Sequence, residues 1–91
     1  MIYFAIFISD IKELNASDTK KITDVWISHL HSLHTLNASN NPKITTVAPF
    51  AKSLHKLDAS DNCGINDTRL TTAIYLEELD SFGNPKITIK I

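Results

Sequence analysis

Leu33-His34-Thr35-Leu36-Asn37-Ala38-Ser39-Asn40-Asn41-Pro42-Lys43-Ile44-Thr45 is a phrase that this chain states more than once. It starts again as Leu54-His55-Lys56-Leu57-Asp58-Ala59-Ser60 and as Leu76-Glu77-Glu78-Leu79-Asp80-Ser81-Phe82. An earlier version opens at Ile11-Lys12-Glu13-Leu14-Asn15-Ala16-Ser17. The starts are separated by 22, 21 and 22 residues. Counting from each start, the ninth place holds Thr19, Asn41, Asn62 and Asn84, and the twelfth holds Ile22, Ile44, Ile65 and Ile87. Asn-Pro-Lys-Ile-Thr occurs twice, at 41–45 and 84–88. Self-similarity at such a period marks a stack of supersecondary units, none of which buries its apolar face alone.

Within a unit the first, fourth and sixth places are apolar or small, and the places between are mostly polar. The fourth and sixth alternate as in a half-buried strand, so Glu13 and Asn15 point to the opposite face. Stacked copies give a parallel sheet with rungs roughly 4.8 Å apart. The rest of each unit returns the chain across the other side, and such crossovers are right-handed.

The pattern resembles the leucine-rich repeat family, whose motif reads Leu-x-x-Leu-x-Leu-x-x-Asn followed by a further apolar residue. The resemblance covers residues 11–91. Three departures stand out. The sixth place is small (Ala16, Ala38, Ala59, Ser81), the ninth is Thr19 in the first unit, and the isoleucine follows the asparagine by three places. The resemblance implies an α/β fold: a right-handed solenoid with a parallel sheet on its concave face and short helices or 3-10 turns on its convex face. The units are 11–32, 33–53, 54–75 and a truncated 76–91. Residues 1–10 form an apolar N-terminal segment, an incomplete leading repeat or cap beginning with a buried strand. Neither end carries a polar capping unit, so end-to-end self-association is expected as well.

At the ninth place the chain turns inward and leaves backbone groups without strand partners. A buried amide side chain offers two donors and an acceptor. Asn41, Asn62 and Asn84 are therefore expected to bond the backbone as a structural ladder, with Thr19 marking its looser end. The return at Asp24–Ser32 fits two helical turns capped by Thr23 or Asp24, and the return at Asn66–Tyr75 is capped by Asn66 or Asp67. Pro49 allows regular helix in the second return only within a first turn. Trp26, Leu30, Phe50, Leu70 and Ile74 are expected to fill the core from this side.

The sheet face carries side chains in rows. The second place reads Lys12, His34, His55, Glu77; the third, Glu13, Thr35, Lys56, Glu78; the fifth, Asn15, Asn37, Asp58, Asp80; the eighth, Asp18, Asn40, Asp61, Gly83. The face grows more acidic toward the C-terminal rungs. The expected function is non-catalytic: His34, His55, Lys56, Glu77, Glu78, Asn37, Asp58 and Asp80 contact a partner protein. The alternative is a structural piece of a longer array without separate activity, or an adaptor or regulatory subunit of a larger complex.

Other chemistry finds little support. His34, His55 and Glu77 are zinc ligand types on consecutive rungs, but residues in a straight row do not converge as a tetrahedral site requires, and no metal is expected. His29, His31 and His34 do not share one face of an element. Cys63 reads as a packed or exposed thiol. No nucleophile triad, phosphate loop or paired-carboxylate motif is present, so no enzyme activity and no cofactor are expected. The glycosylation-like triplets at Asn15 and Asn37 arise from the repeat itself, and these two and the third, at Asn66, are read as coincidence.

The bulk numbers agree. A chain of 91 residues holds one domain, and 43% hydrophobic content argues against disorder. A net charge of −1 without a basic block offers no footprint for nucleic acid or an anionic membrane. The apolar start, Met1–Ile8, is too short to span a bilayer and lacks the basic flank and cleavage site of a signal peptide. With one cysteine, the expected location is the cytoplasm.

Overall fold

The computed structural model describes residues 10–91, so the expected leading strand within residues 1–9 lies outside the described residues. From Ile11 onward the period of the sequence becomes the period of the backbone. Strand β1 is Glu13–Asn15, β2 Thr35–Asn37, β3 Lys56–Asp58 and β4 Glu78–Asp80. They form one parallel sheet in sequence order. Each strand is only three residues long, and its central leucine pairs in register with the next: Leu14 with Leu36, Leu36 with Leu57, Leu57 with Leu79.

The ladder continues beyond the strands through a repeated bonding rule. The backbone amides at the second and third places both donate to the second-place carbonyl of the preceding rung: His34 and Thr35 to Lys12, His55 and Lys56 to His34, Glu77 and Glu78 to His55. Further along, the sixth-place amides of Ala16, Ala38 and Ala59 donate forward to Asn37, Asp58 and Asp80. Such pairing satisfies backbone groups that would otherwise be buried without partners.

The core lies between the sheet and the return segments. Leu36, Leu33, Leu54, Ile44, Ile65 and Val47 are fully buried. Ala16, Ala38 and Ala59 are buried too, so the small sixth place lets the returns pack close to the sheet. From the return side Leu30, Phe50 and Leu70 enter the core, and Trp26 packs against it while half-buried. Ile74 does not: it is 71% exposed, and Ala73 takes the inward position. The Ala73 carbonyl accepts from the Leu76 amide, and the smaller Ala73 is the residue buried at this tight turn.

The returns are shorter than the sequence pattern suggests. Helix α1 is a single turn, Asp24–Ile27, with Thr23 at its N-cap but no side-chain capping bond. The others are 3-10 turns, Ala48–Phe50 and Asp67–Leu70. Pro49 sits at the start of its turn, where its missing amide costs nothing. Asn66 caps as expected, accepting from the Arg69 amide.

Asp24 is drawn away from capping by a stronger offer on the neighbouring rung. It accepts from the Thr45 amide and hydroxyl. Asp67 does the same with Thr88. These hydrogen bonds, the Thr88 hydroxyl foremost, hold the Asp67 carboxyl below the usual carboxylate range. The duplicated Asn-Pro-Lys-Ile-Thr phrase thus fastens the second rung to the first and the fourth to the third in the same way. The second and third rungs are joined differently.

Leu57 lies at the centre of the stack and is 3% exposed. Leu57→Ala is expected to lower unfolding free energy by about 2–5 kcal/mol through cavity formation. Ile74→Ala is expected to stay within about 0.5 kcal/mol. Chemical denaturation of both variants checks the assignment, and an unchanged midpoint in Leu57→Ala contradicts it.

Candidate functional site

Alternation in the four strands sends the third and fifth places outward and the leucines inward. Glu13, Glu78 and Lys56 are exposed, and Thr35, Asn37 and Asp58 are half-buried by their neighbours. The third to fifth places of β2–β4 line a shallow depression of about 300 Å³ on this face.

Among the residues expected to meet a partner, the rows bring several together. The His34 and His55 rings stack with centroids 4.4 Å apart and planes 13° from parallel. The His55 Nδ1 lies 2.7 Å from the Ser53 carbonyl, which can only accept, so this nitrogen carries the proton. A metal ion sits in the plane of each imidazole that binds it. Two parallel rings on separate planes therefore do not converge on one ion. No group of three or more metal-binding side chains occurs among the described residues. Lys56 Nζ lies 3.6 Å from a Glu78 carboxylate oxygen on the next rung. Both side chains are more than half exposed, so the pair contributes little to stability.

The fifth-place row has a structural duty as well. Asn37, Asp58 and Asp80 each turn one side-chain oxygen to the backbone two residues on, accepting from the amides of Ser39, Ser60 and Phe82. Asn15 does so with Ser17. These short bonds brace the turn that ends every strand. The residue directly after that amide adopts a left-handed backbone, at Asp18, Asn40, Asp61 and Gly83. Short polar side chains and glycine tolerate that conformation best. What remains free in the fifth-place row is the second oxygen of Asp58 and Asp80 and the amide nitrogen of Asn15 and Asn37, whereas Glu77 and Glu78 have no such backbone duty.

The ninth place needs a correction. Asn41 and Asn84 are buried, and their Nδ2 atoms donate to carbonyls of the preceding rung: Asn41 to Ala16 and Ile22, Asn84 to Ala59 and Ile65. Their Oδ1 atoms accept from Lys43 and Lys86 amides. Asn62 is exposed instead. Cys63 takes the inward position of the third rung, with its amide on the Ser60 carbonyl and its thiol facing the Ile44 carbonyl at 3.9 Å. The corner from Cys63 to Ile65 is one residue shorter than that from Asn41 to Ile44. Gly64 makes the shortcut possible: a Cβ there would lie 2.7 Å from the Pro42 and Ile44 carbonyl oxygens. The Cys-Gly pair, standing where the second and fourth units have Pro-Lys, is the sequence signal for this change. Burial pushes the Cys63 thiol above its ordinary value, because the thiolate would lose its hydration.

Comparison with protein-family models, with curated proteins and with solved structures gives no match. No helix among the described residues is long and apolar enough to cross a membrane.

Asn84→Ala is expected to cost about 1–3 kcal/mol, because the Ala59 and Ile65 carbonyls lose their donor in the interior. Asn62→Ala is expected to be neutral, and denaturation of the two variants checks the contrast. Cys63 yields a pH dependence of known sign. Its pKa is raised in the folded chain, so its contribution is complete below the ordinary thiol value and is lost as pH rises through the raised one. Stability curves of the parent and Cys63→Ala, compared above the ordinary thiol pKa, are expected to show the parent losing more.

Proposed function

We propose that residues 11–91 are a right-handed leucine-rich-repeat solenoid whose sheet face is concave and docks a partner protein without catalysis. The observation that carries this reading is the row geometry. Four parallel strands in exact repeat register present Lys12, His34, His55 and Glu77 in one line and Glu13, Thr35, Lys56 and Glu78 in the next. A regular array of exposed polar side chains on a short-stranded sheet suits recognition by many weak contacts along an extended surface.

The repeat phrase with its inward Asn41 and Asn84 supports the family reading. Charge supports the choice of partner. Glu77, Glu78 and Asp80 gather at β4, with Asp58 beside them on β3. The Lys56–Glu78 contact already shows how a cation meets this row. A partner with a basic patch fits the C-terminal half of the face best, the charges steering the encounter and fixing its register. The buried thiol of a lone cysteine, with no disulfide, agrees with a reducing compartment such as the cytoplasm.

The test is affinity capture with the intact protein and with a Glu77→Lys, Glu78→Lys variant from the native host. Both side chains are exposed, so the variant is expected to fold, and circular dichroism verifies it. The expected result is a partner retained by the intact protein and lost by the variant. Equal capture by both rules out the sheet face.

A further inference from the structure

The stack gathers lysines that are far apart in the chain. Lys21, Lys43 and Lys86 all occupy the eleventh place of their units, and Lys20 precedes the first of them. All four are exposed. The ion pair among the described residues is Lys56–Glu78, on the sheet face, so none of these four lysines has a carboxylate within salt-bridge distance. Beside them lies a groove of about 810 Å³. Lys20, Lys21 and Lys86 line it, together with Thr19, Asn40 and Asn62. Gly64 holds the eleventh place of the third rung and contributes no side chain, so the row is interrupted there.

We propose that this groove is a second interaction site and takes an acidic, Asp/Glu-rich segment of a partner protein. It adjoins the sheet face at the eighth-place Asp18 and Asn40 but shares none of the residues proposed to meet the first partner, and it does not depend on the function proposed for that face. Charge complementarity is the first reason: the unpaired Lys20, Lys21 and Lys86 line a recess of about 810 Å³. The lining is the second. Asn40, Asn62 and Thr19 carry donors and acceptors together, which suits the alternating amides and carbonyls of a peptide backbone.

The same features disfavour a polynucleotide. The groove contains no aromatic side chain on which bases would stack. Asp18 also lines the groove. A protein segment needs no such stacking platform. Asn40 Nδ2 donates to the Asp18 carboxylate at 3.0 Å, and this one negative charge stands against the three lysines that line the groove.

The experiment is fluorescence anisotropy at low salt on the whole chain, with a labelled Asp/Glu peptide as probe. An Asn/Gln peptide of equal length and a single-stranded oligonucleotide of equal charge serve as comparators. The acidic peptide is expected to bind, and binding is expected to weaken as salt rises. Lys21→Glu with Lys86→Glu is expected to lower affinity by about tenfold or more. Lys21→Gln with Lys86→Gln, which keeps side-chain size, is expected to give a smaller loss, and Lys52→Glu elsewhere on the surface no loss. Unchanged binding in both lysine pairs overturns the proposal. Tighter binding of the oligonucleotide overturns it in favour of nucleic acid. Self-association that disappears in the charge-reversed pair, followed by sedimentation, overturns it in favour of a second copy.

Discussion

Everything in this molecule rests on the register in which one short strand lies beside the next. Three residues of strand bury almost nothing and hold few hydrogen bonds alone. Placed in register, the four central leucines form a continuous apolar line, and each second-place carbonyl receives two amides from the following rung. A slip of one residue would turn every leucine outward and every Glu or Lys of the third place inward. The constraint also propagates sideways. Once the strands are fixed, the corners, the buried isoleucines and the return turns must repeat at the same spacing.

The corners show how the register is enforced. Two kinds of junction alternate. In one, a buried asparagine bonds backward to two carbonyls while a threonine clasps an aspartate of the neighbouring rung. In the other, between the second and third rungs, a buried cysteine and a glycine shorten the turn, and the Gly64 amide bonds the Asn41 carbonyl. The first relies on charge-assisted and amide hydrogen bonds. The second relies on close packing, which only glycine permits at that point. A long-range alternation of two rungs therefore overlies the single-rung period.

The strands, their order and the leucine core were legible in the sequence because apolar spacing survives folding unchanged. The returns were less so: a run such as Asp24–Ser32 has helical character, but the limited space between neighbouring rungs stops it after one turn. Asn62 was misplaced because a register counted along the chain assumes equal corners, whereas the Cys63-Gly64 corner is shorter by a residue. Ile74 was misplaced because a helical periodicity does not reveal which side of a tight turn a following rung will cover. The lysine row escaped notice for a different reason. Its members are dispersed in the chain, so no basic block exists until the stack brings them together. Its signal lies in the columns of the repeat and not in any run of the chain.

The same column logic separates the two faces that the molecule offers. The sheet edge collects carboxylates at β4, while the corners collect lysines, and the near-neutral total hides both. The register claim itself is best tested by NMR couplings transmitted through backbone hydrogen bonds. The account predicts that the amides of Thr35, Lys56 and Glu78 couple to the carbonyls of Lys12, His34 and His55 respectively. Couplings displaced by a residue, or pairing of strands out of sequence order, would contradict it.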